Sequence, residues 1–312
     1  SAVTLDLAEG GTYVFDWSDS SAQGHPVRFS TTADGTHGGG SEYTTGVVKD
    51  DSAYKTTITV AASAPQLYYY CQYHSGMGGA INTNVTSGSS NFDGNIQSTV
   101  KANATAGFSI VTYTGNGSGG SGAKIGHGLG VAPKGLIVKN REAAQSWEVH
   151  AFEEIRMYLN TSDTDFASAQ FSLTSTDIRP ANNNARRNEN GTDYVAYVFA
   201  DVAGYSKFGL YTGNGSTDGT FVFTGFRPAW VMIKNKTGGN SWTIVDNKRD
   251  IDNPTGLQLF ADGNFADYSA TGIDILANGF KCRSTAGEVN LNNNNYIYLA
   301  FAEAPFRNAR AR

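Results

Sequence analysis

The sequence predicts an all-β protein, and three observations carry that expectation. Charged residues make up 16% of the 312-residue chain while Gly fills 37 positions, so the Leu, Lys and Glu that sustain long helices are scarce. Tyr and Phe, at 16 and 17, are residues that strands favour. Apolar and polar residues alternate in short runs bounded by Gly, Asp, Ser or Pro, the period of a half-buried strand.

Taken in order, Val3–Leu7, Thr12–Trp17, Val27–Ser30, Lys55–Val60 and Leu67–Tyr70 read as strands of a first domain, residues 1–85. Between them Asp34-Gly35-Thr36-His37-Gly38-Gly39-Gly40 reads as a loop. Residues 86–104 are rich in Ser, Asn and Gly and read as a linker, with room for one strand.

The remainder, 105–306, repeats itself once. Tyr113-Thr114-Gly115-Asn116-Gly117 returns as Tyr211-Thr212-Gly213-Asn214-Gly215, and Pro133 through Asn140 returns as Pro228 through Asn235. Ser146-Trp147 returns as Ser241-Trp242, and Tyr194 through Asp201 as Tyr296 through Glu303. The spacing between matched blocks shifts by a few residues, as loop insertions within a common strand order would shift it. Each copy, about 108–201 and 207–303, shows about five strands, and Trp147 and Trp242 occupy matching apolar core positions. The copies form two small β-sandwiches, jelly-roll or lectin-like, or one larger one; the short Asp201–Lys207 connection favours joint packing.

A net charge of −5 argues against nucleic-acid binding. The basic tail at 307–312 reads as a solvated terminus. No apolar run approaches the ~20 residues of a membrane helix. The chain starts at Ser1 without Met, as a processed chain or an excerpt would. Two cysteines, Cys71 and Cys282, fall in different domains and are too few for a disulfide framework.

Chemistry concentrates in Tyr70-Cys71-Gln72-Tyr73-His74-Ser75-Gly76-Met77-Gly78. A thiolate, an imidazole and a thioether on one strand-exit loop suit a soft metal such as copper, with Met77 as the weak axial ligand. His25, opening its own strand in Gly24-His25-Pro26-Val27, qualifies as the fourth ligand. Against this stands Cys71 as a small buried hydrophobe in a metal-free sandwich. His37 reads as an exposed loop residue, or as a neighbour of the site.

Thr59-Val60 and the stretch Tyr68 to Ile81 resemble the closing strand pair of cupredoxins, and the Cys-x-x-His-x-x-Met spacing is similar to that of amicyanin. The resemblance covers about 85 residues. It implies a Greek-key sandwich holding type 1 copper through His25, Cys71, His74 and Met77. A second resemblance spans nearly the whole chain. His25 to Thr32 with Asp34 to Gly40, and Gly126-His127-Gly128-Leu129-Gly130 to Lys134 with Val138-Lys139-Asn140, resemble structural modules of marine tailed phages. It implies a virion-surface location: a fibre, tail or head-decoration component, oligomeric, among other virion proteins and near host-surface glycans.

No phosphate-binding Gly-rich loop and no His-Glu-x-x-His occurs. Glu153-Glu154 and Asp246, Asp250 and Asp252 read as turn chemistry or solvated faces. His127, whose counterpart at an offset of 95 is Val222, reads as a turn residue. The sequon asparagines Asn116 and Asn214 carry no signal in so Asn-rich a chain. The expectation is therefore a non-enzymatic virion structural protein. A copper electron-transfer protein and a polysaccharide depolymerase are the alternatives.

Overall fold

A computed structural model describes residues 3–83, 88–152, 154–166 and 170–303, the side chain of Thr271 excepted. Val85, Glu153 and the basic tail lie outside these residues. The fold is all-β. Among the described residues its helical turns are the short 3₁₀ segments Gly35–Gly38 and Gly120–Gly122, and no helix is long and apolar enough to cross a membrane. There are two compact units: one reaches Asn91 and includes Thr99–Lys101, and the other holds Phe92–Ser98 and everything from Ala102 onward.

In the first unit, β1 (Leu5–Asp6), β2 (Thr12–Asp16), β3 (Val27–Ser30), β4 (Val47–Asp50), β5 (Lys55–Thr59), β6 (Leu67–Cys71) and β7 (Gly78–Asn82) form two sheets. One runs β1-β7-β6-β3 and the other β2-β5-β4. Alternation leaves each sheet one apolar face, and the two faces close over Leu5, Phe29, Ile58, Leu67 and Ile81. The antiparallel register of β6 sets Leu67 opposite Ile81 and Cys71 opposite Val27. The end of β6 therefore lies beside the start of β3.

The expected linker instead contains β8 (Ser89–Asn91) and β9 (Ser98–Asn103). Its attachment to the first unit is polar: the Ser90 hydroxyl accepts from Asp6 N–H, and the Ser89 hydroxyl bonds Tyr13 Oη at 2.6 Å. Hydrophobic periodicity does not register such an attachment.

Among the described residues the second unit holds eight strands per copy, where the apolar pattern shows about five. The first copy comprises β10 (Phe108–Thr114), β11 (Ile125–Gly126), β12 (Gly135–Asn140), β13 (Glu148–Ala151), β14 (Ile155–Tyr158), β15 (Phe171–Leu173), β16 (Asp177–Pro180) and β17 (Asp193–Phe199). The second comprises β18 (Ser206–Thr212), β19 (Phe221–Phe223), β20 (Pro228–Asn235), β21 (Thr243–Asp246), β22 (Thr255–Phe260), β23 (Tyr268–Leu276), β24 (Gly279–Cys282) and β25 (Asn295–Ala302). Several of the additional strands span only two to four residues, too few to display a period.

Pairings recur between the copies. β10 pairs β17 as β18 pairs β25, β12 lies between β13 and β17 as β20 lies between β21 and β25, and β11 pairs β16 as β19 pairs β24. In the second copy β22 also pairs β23, so all eight strands follow one another in a nearly closed, barrel-like sheet. In the first copy the strands divide into β14-β13-β12-β17-β10 and β11-β16-β15.

The repeated Tyr-Thr-Gly-Asn-Gly motif closes each copy through the same bonds. Tyr113 Oη donates to Arg187 O and Tyr211 Oη to Val289 O, each at 2.6 Å. Asn188 Nδ2 donates to Asn116 Oδ1 and Ser118 O, and Asn290 Nδ2 donates to Asn214 Oδ1 and Ser216 O. The sequon asparagines are thus structural hydrogen-bond partners.

The copies share a core. Val149, Ala151, Ile155 and Met157 from β13 and β14 pack with Phe208, Met232, Trp242, Ile297 and Leu299. Trp242 is fully buried and its indole N–H donates to Tyr158 O at 2.9 Å. Trp147 is only partly buried and stacks on Tyr197 at 6.3 Å. Position for position the tryptophans match, but the shared core takes in the second alone.

A buried ionic cluster distinguishes the first copy. Arg187 clamps Glu148 with bonds of 2.8 and 3.1 Å, and His150 Nε2 lies 3.6 Å from the same carboxylate. Burial alone would raise the Glu148 carboxyl, but the neighbouring His150 and the hydrogen bonds and charge of Arg187 bring it from 4.5 to about 2. Burial lowers His150 below its ordinary 6.5.

Two outcomes follow from this packing. Trp242→Ala should cost about 3–5 kcal/mol in chemical denaturation, as large aromatic deletions in cores do, and Trp147→Ala distinctly less. For both His150 and Glu148 the unfolded chain binds more protons than the folded one, so stability falls as pH falls. The melting temperature of the second unit should drop below pH 6.5 through His150, and again between 4.5 and about 2 through Glu148. Glu148→Gln should flatten the second drop while costing about 3–5 kcal/mol at neutral pH, because Arg187 stays buried without its partner.

Candidate metal centre

Three of the four expected ligands come together at one end of the first unit. The Cys71 Sγ lies 3.6 Å from His25 Nδ1 and 3.5 Å from His74 Nδ1, and the imidazole centroids are 4.6 Å apart. All three ligand atoms fall within 4.8 Å of one another. Cys71 is buried, His25 partly buried and His74 exposed, so the cluster opens to solvent on the His74 side. Met77 follows on the same loop with its side chain 44% exposed.

The strands account for this convergence. Cys71 ends β6 and pairs with Val27, two residues after His25, so the strand register itself brings thiol and imidazole together. The loop after Cys71 is closed at both ends: Cys71 N–H donates to Met77 O at 2.8 Å, and Gln72 N–H to Pro26 O at 2.9 Å. Gly76 turns with φ 71°, a left-handed conformation open to glycine.

The Gly-rich loop supports the site from the other side. Asp34 Oδ1 accepts from Gly76 N–H at 2.9 Å. His37 is exposed, as expected of a loop residue, yet its Nε2 donates to Cys71 O at 3.1 Å and its ring meets Tyr70 edge-on. It borders the cluster without joining it. Asp34 carries no signal in the sequence beyond its place before a glycine, because its partner is a backbone N–H 42 residues away.

The donor set fits one soft or borderline ion. Donors that bind a single first-row ion at about 2.0–2.3 Å stand about 3–4 Å apart, and the sulfur–nitrogen separations of 3.5 and 3.6 Å lie in that range. One sulfur with two imidazole nitrogens selects copper or zinc over hard cations.

Other singled-out residues serve the fold. Asp246 Oδ1 accepts from Lys248 and Arg249 N–H, and Asp250 Oδ2 from Gly256 N–H, which is turn chemistry. His127 is fully buried, with Nε2 donating to Thr174 O and Nδ1 accepting from Leu129 N–H. Its counterpart is Thr224, not Val222: His127 N–H donates to Thr176 O as Thr224 N–H donates to Asn278 O. A loop insertion moves the offset there from 95 to 97. Cys282 is a free, buried thiol that burial pushes up to about 12, and it donates to Val289 O. Glu148, His150 and Arg187 form a cluster of catalytic residue types that the sequence does not reveal, because 39 positions separate Glu148 from Arg187. At 0–2% exposure they offer no approach to a substrate.

Asp34→Ala should leave the unit folded, since one partly exposed hydrogen bond contributes only about 0.5–1.5 kcal/mol. It should nevertheless weaken metal binding several-fold in a competition titration, because the His74 loop loses its anchor at Gly76.

No curated protein and no solved structure matches the chain. The family match begins after His25, Cys71 and His74, so it bears on the second unit and not on the candidate metal centre. Residues 82–305, more than two thirds of the chain, match the family described as a domain of unknown function, DUF7483, and the chain belongs to that family.

Proposed function

We propose that the first unit binds copper through His25, Cys71 and His74, with Met77 as the axial ligand, in a cupredoxin-like sandwich. The observation that carries this reading is the placement of two imidazole Nδ1 atoms 3.5 and 3.6 Å from one cysteine sulfur. Bound copper would supply a one-electron couple and add its binding energy to the folded state. The protein's own part is to hold the ligands: β6 and β3 set His25 and Cys71 in register, Asp34 fixes the loop at Gly76, and His37 restrains the Cys71 carbonyl.

The chain as a whole is read as a non-enzymatic structural component of a phage particle, a fibre, tail or head decoration that helps contact the host and works as an oligomer. Its support is the duplicated all-β architecture with Asn- and Gly-built turns, together with the resemblance of its motifs to tailed-phage modules. Repeated copies on a particle turn weak contacts into avidity.

Adding Cu(II) to the purified chain should produce an intense blue thiolate-to-copper band and raise the melting temperature, both lost in Cys71→Ser. No band, or an unchanged one in that variant, overturns the copper reading. Antibodies against the chain should label intact particles of the encoding phage in electron micrographs. Label confined to the soluble lysate overturns the virion reading.

A further inference from the structure

The duplication supplies its own control for a cleft in the second copy. Two of its edges match positions of the first copy with the same offset of 102. In the strands, Tyr158 pairs with Glu148 as Phe260 pairs with Thr243, so Arg156 corresponds to Gln258. In the loop before the closing strand, Tyr194 Oη donates to Ala185 O as Tyr296 Oη donates to Gly287 O, so Arg186 corresponds to Glu288.

In the first copy these arginines cover an aromatic pair. Tyr158 and Phe166 lie 5.1 Å apart, with the Arg156 guanidinium 4.8 Å from the Phe166 ring and that of Arg186 5.3 Å from the Tyr158 ring. In the second copy Phe260 and Tyr268, at the same offset, form the corresponding pair at 6.1 Å, and Phe265 adds a third ring 6.2 Å from Phe260. Here Gln258 and Glu288 replace the arginines, and a cleft of about 410 Å³ opens beside the rings. That size is within the range of small-ligand sites, about 300–1,000 Å³.

The lining defines what the cleft recognises. Phe265 and Tyr268 are 69% and 55% exposed, an unusual display for rings of this size. Gln258 is only 4% exposed and lines the cleft with its amide. Glu288 lines the cleft with no ion-pair partner among the described residues, and neither Lys nor Arg lines it. Relative to the first copy, two positive charges are gone and one negative charge has been added at rings that accept guanidinium groups there.

We infer that this cleft is a binding site for an organic cation bearing a guanidinium group. The cation lies against the faces of Phe260 and Tyr268, as arginine does in the first copy, and beside the exposed Phe265, with Glu288 as counter-ion and the Gln258 carbonyl oxygen accepting an N–H. A cation over an aromatic face is attracted by the ring quadrupole, and the planar guanidinium matches a carboxylate edge. The inference stands apart from the copper site and from the virion reading, since its test involves neither metal nor particle.

The test is ligand-observed NMR on the full chain with agmatine as probe, with maltose and tetramethylammonium run alongside. Agmatine should bind, and binding should weaken at least about tenfold in both Phe265→Ala and Glu288→Gln. Thermal melts check that each variant remains folded. Glu288→Arg, which restores the first copy's charge, should abolish binding without lowering the melting temperature. Tighter binding of an arginine flanked by glycines would make the source a polypeptide, and equal binding a free guanidine. Absence of agmatine binding, equal binding by Phe265→Ala and Glu288→Gln, or a preference for maltose that ignores Glu288 would each overturn the assignment.

Discussion

Burial of β25 on both faces is the constraint on which the second unit rests. Tyr296, Tyr298 and Ala300 point into the barrel-like sheet of the second copy, while Ile297 and Leu299 point into the core shared with the first. A strand with no solvated face cannot shift register by one residue without exchanging these two sets of side chains. β20 obeys the same rule, with Val231 and Ile233 inside and Met232 outside. The order of the remaining strands follows from these two.

The same backbone tolerates two kinds of interior. Where the first copy has Glu148, His150 and Arg187, the second has Thr243, Val245 and Val289 at the matching places. The first copy closes around a buried ion cluster in which Arg187 pairs with the Glu148 carboxylate. The second closes around an apolar core that includes Val245, Val289, Phe280 and Cys282. Where the first copy sets Arg156 and Arg186 over its rings, the second has Gln258 and Glu288, and the cleft lies beside Phe265.

The proposed metal centre depends on an end effect of the first sandwich. β6 stops at Cys71, so the thiol sits at the rim where the loop carrying His74 folds back and where β3 begins. Backbone hydrogen bonds and the Asp34 carboxylate hold that loop. Ligands held in place beforehand lose little conformational freedom on binding, which favours affinity.

From the sequence alone came the all-β class, the duplication and the convergence of His25, Cys71 and His74. Each is written in local signals: period-two alternation, repeated turn motifs, and a short spacing of donors at a strand exit. Tertiary structure alone decided the rest. It added the short strands that make eight in each copy, it aligned His127 with Thr224, and it buried Trp242 while leaving Trp147 partly open. It also joined Glu148 to Arg187 and Asp34 to Gly76, and it set Glu288 beside Phe265. These pairings join residues far apart in the chain, and no periodicity or spacing encodes which of many equivalent carboxylates, arginines or rings will meet once the sheets close.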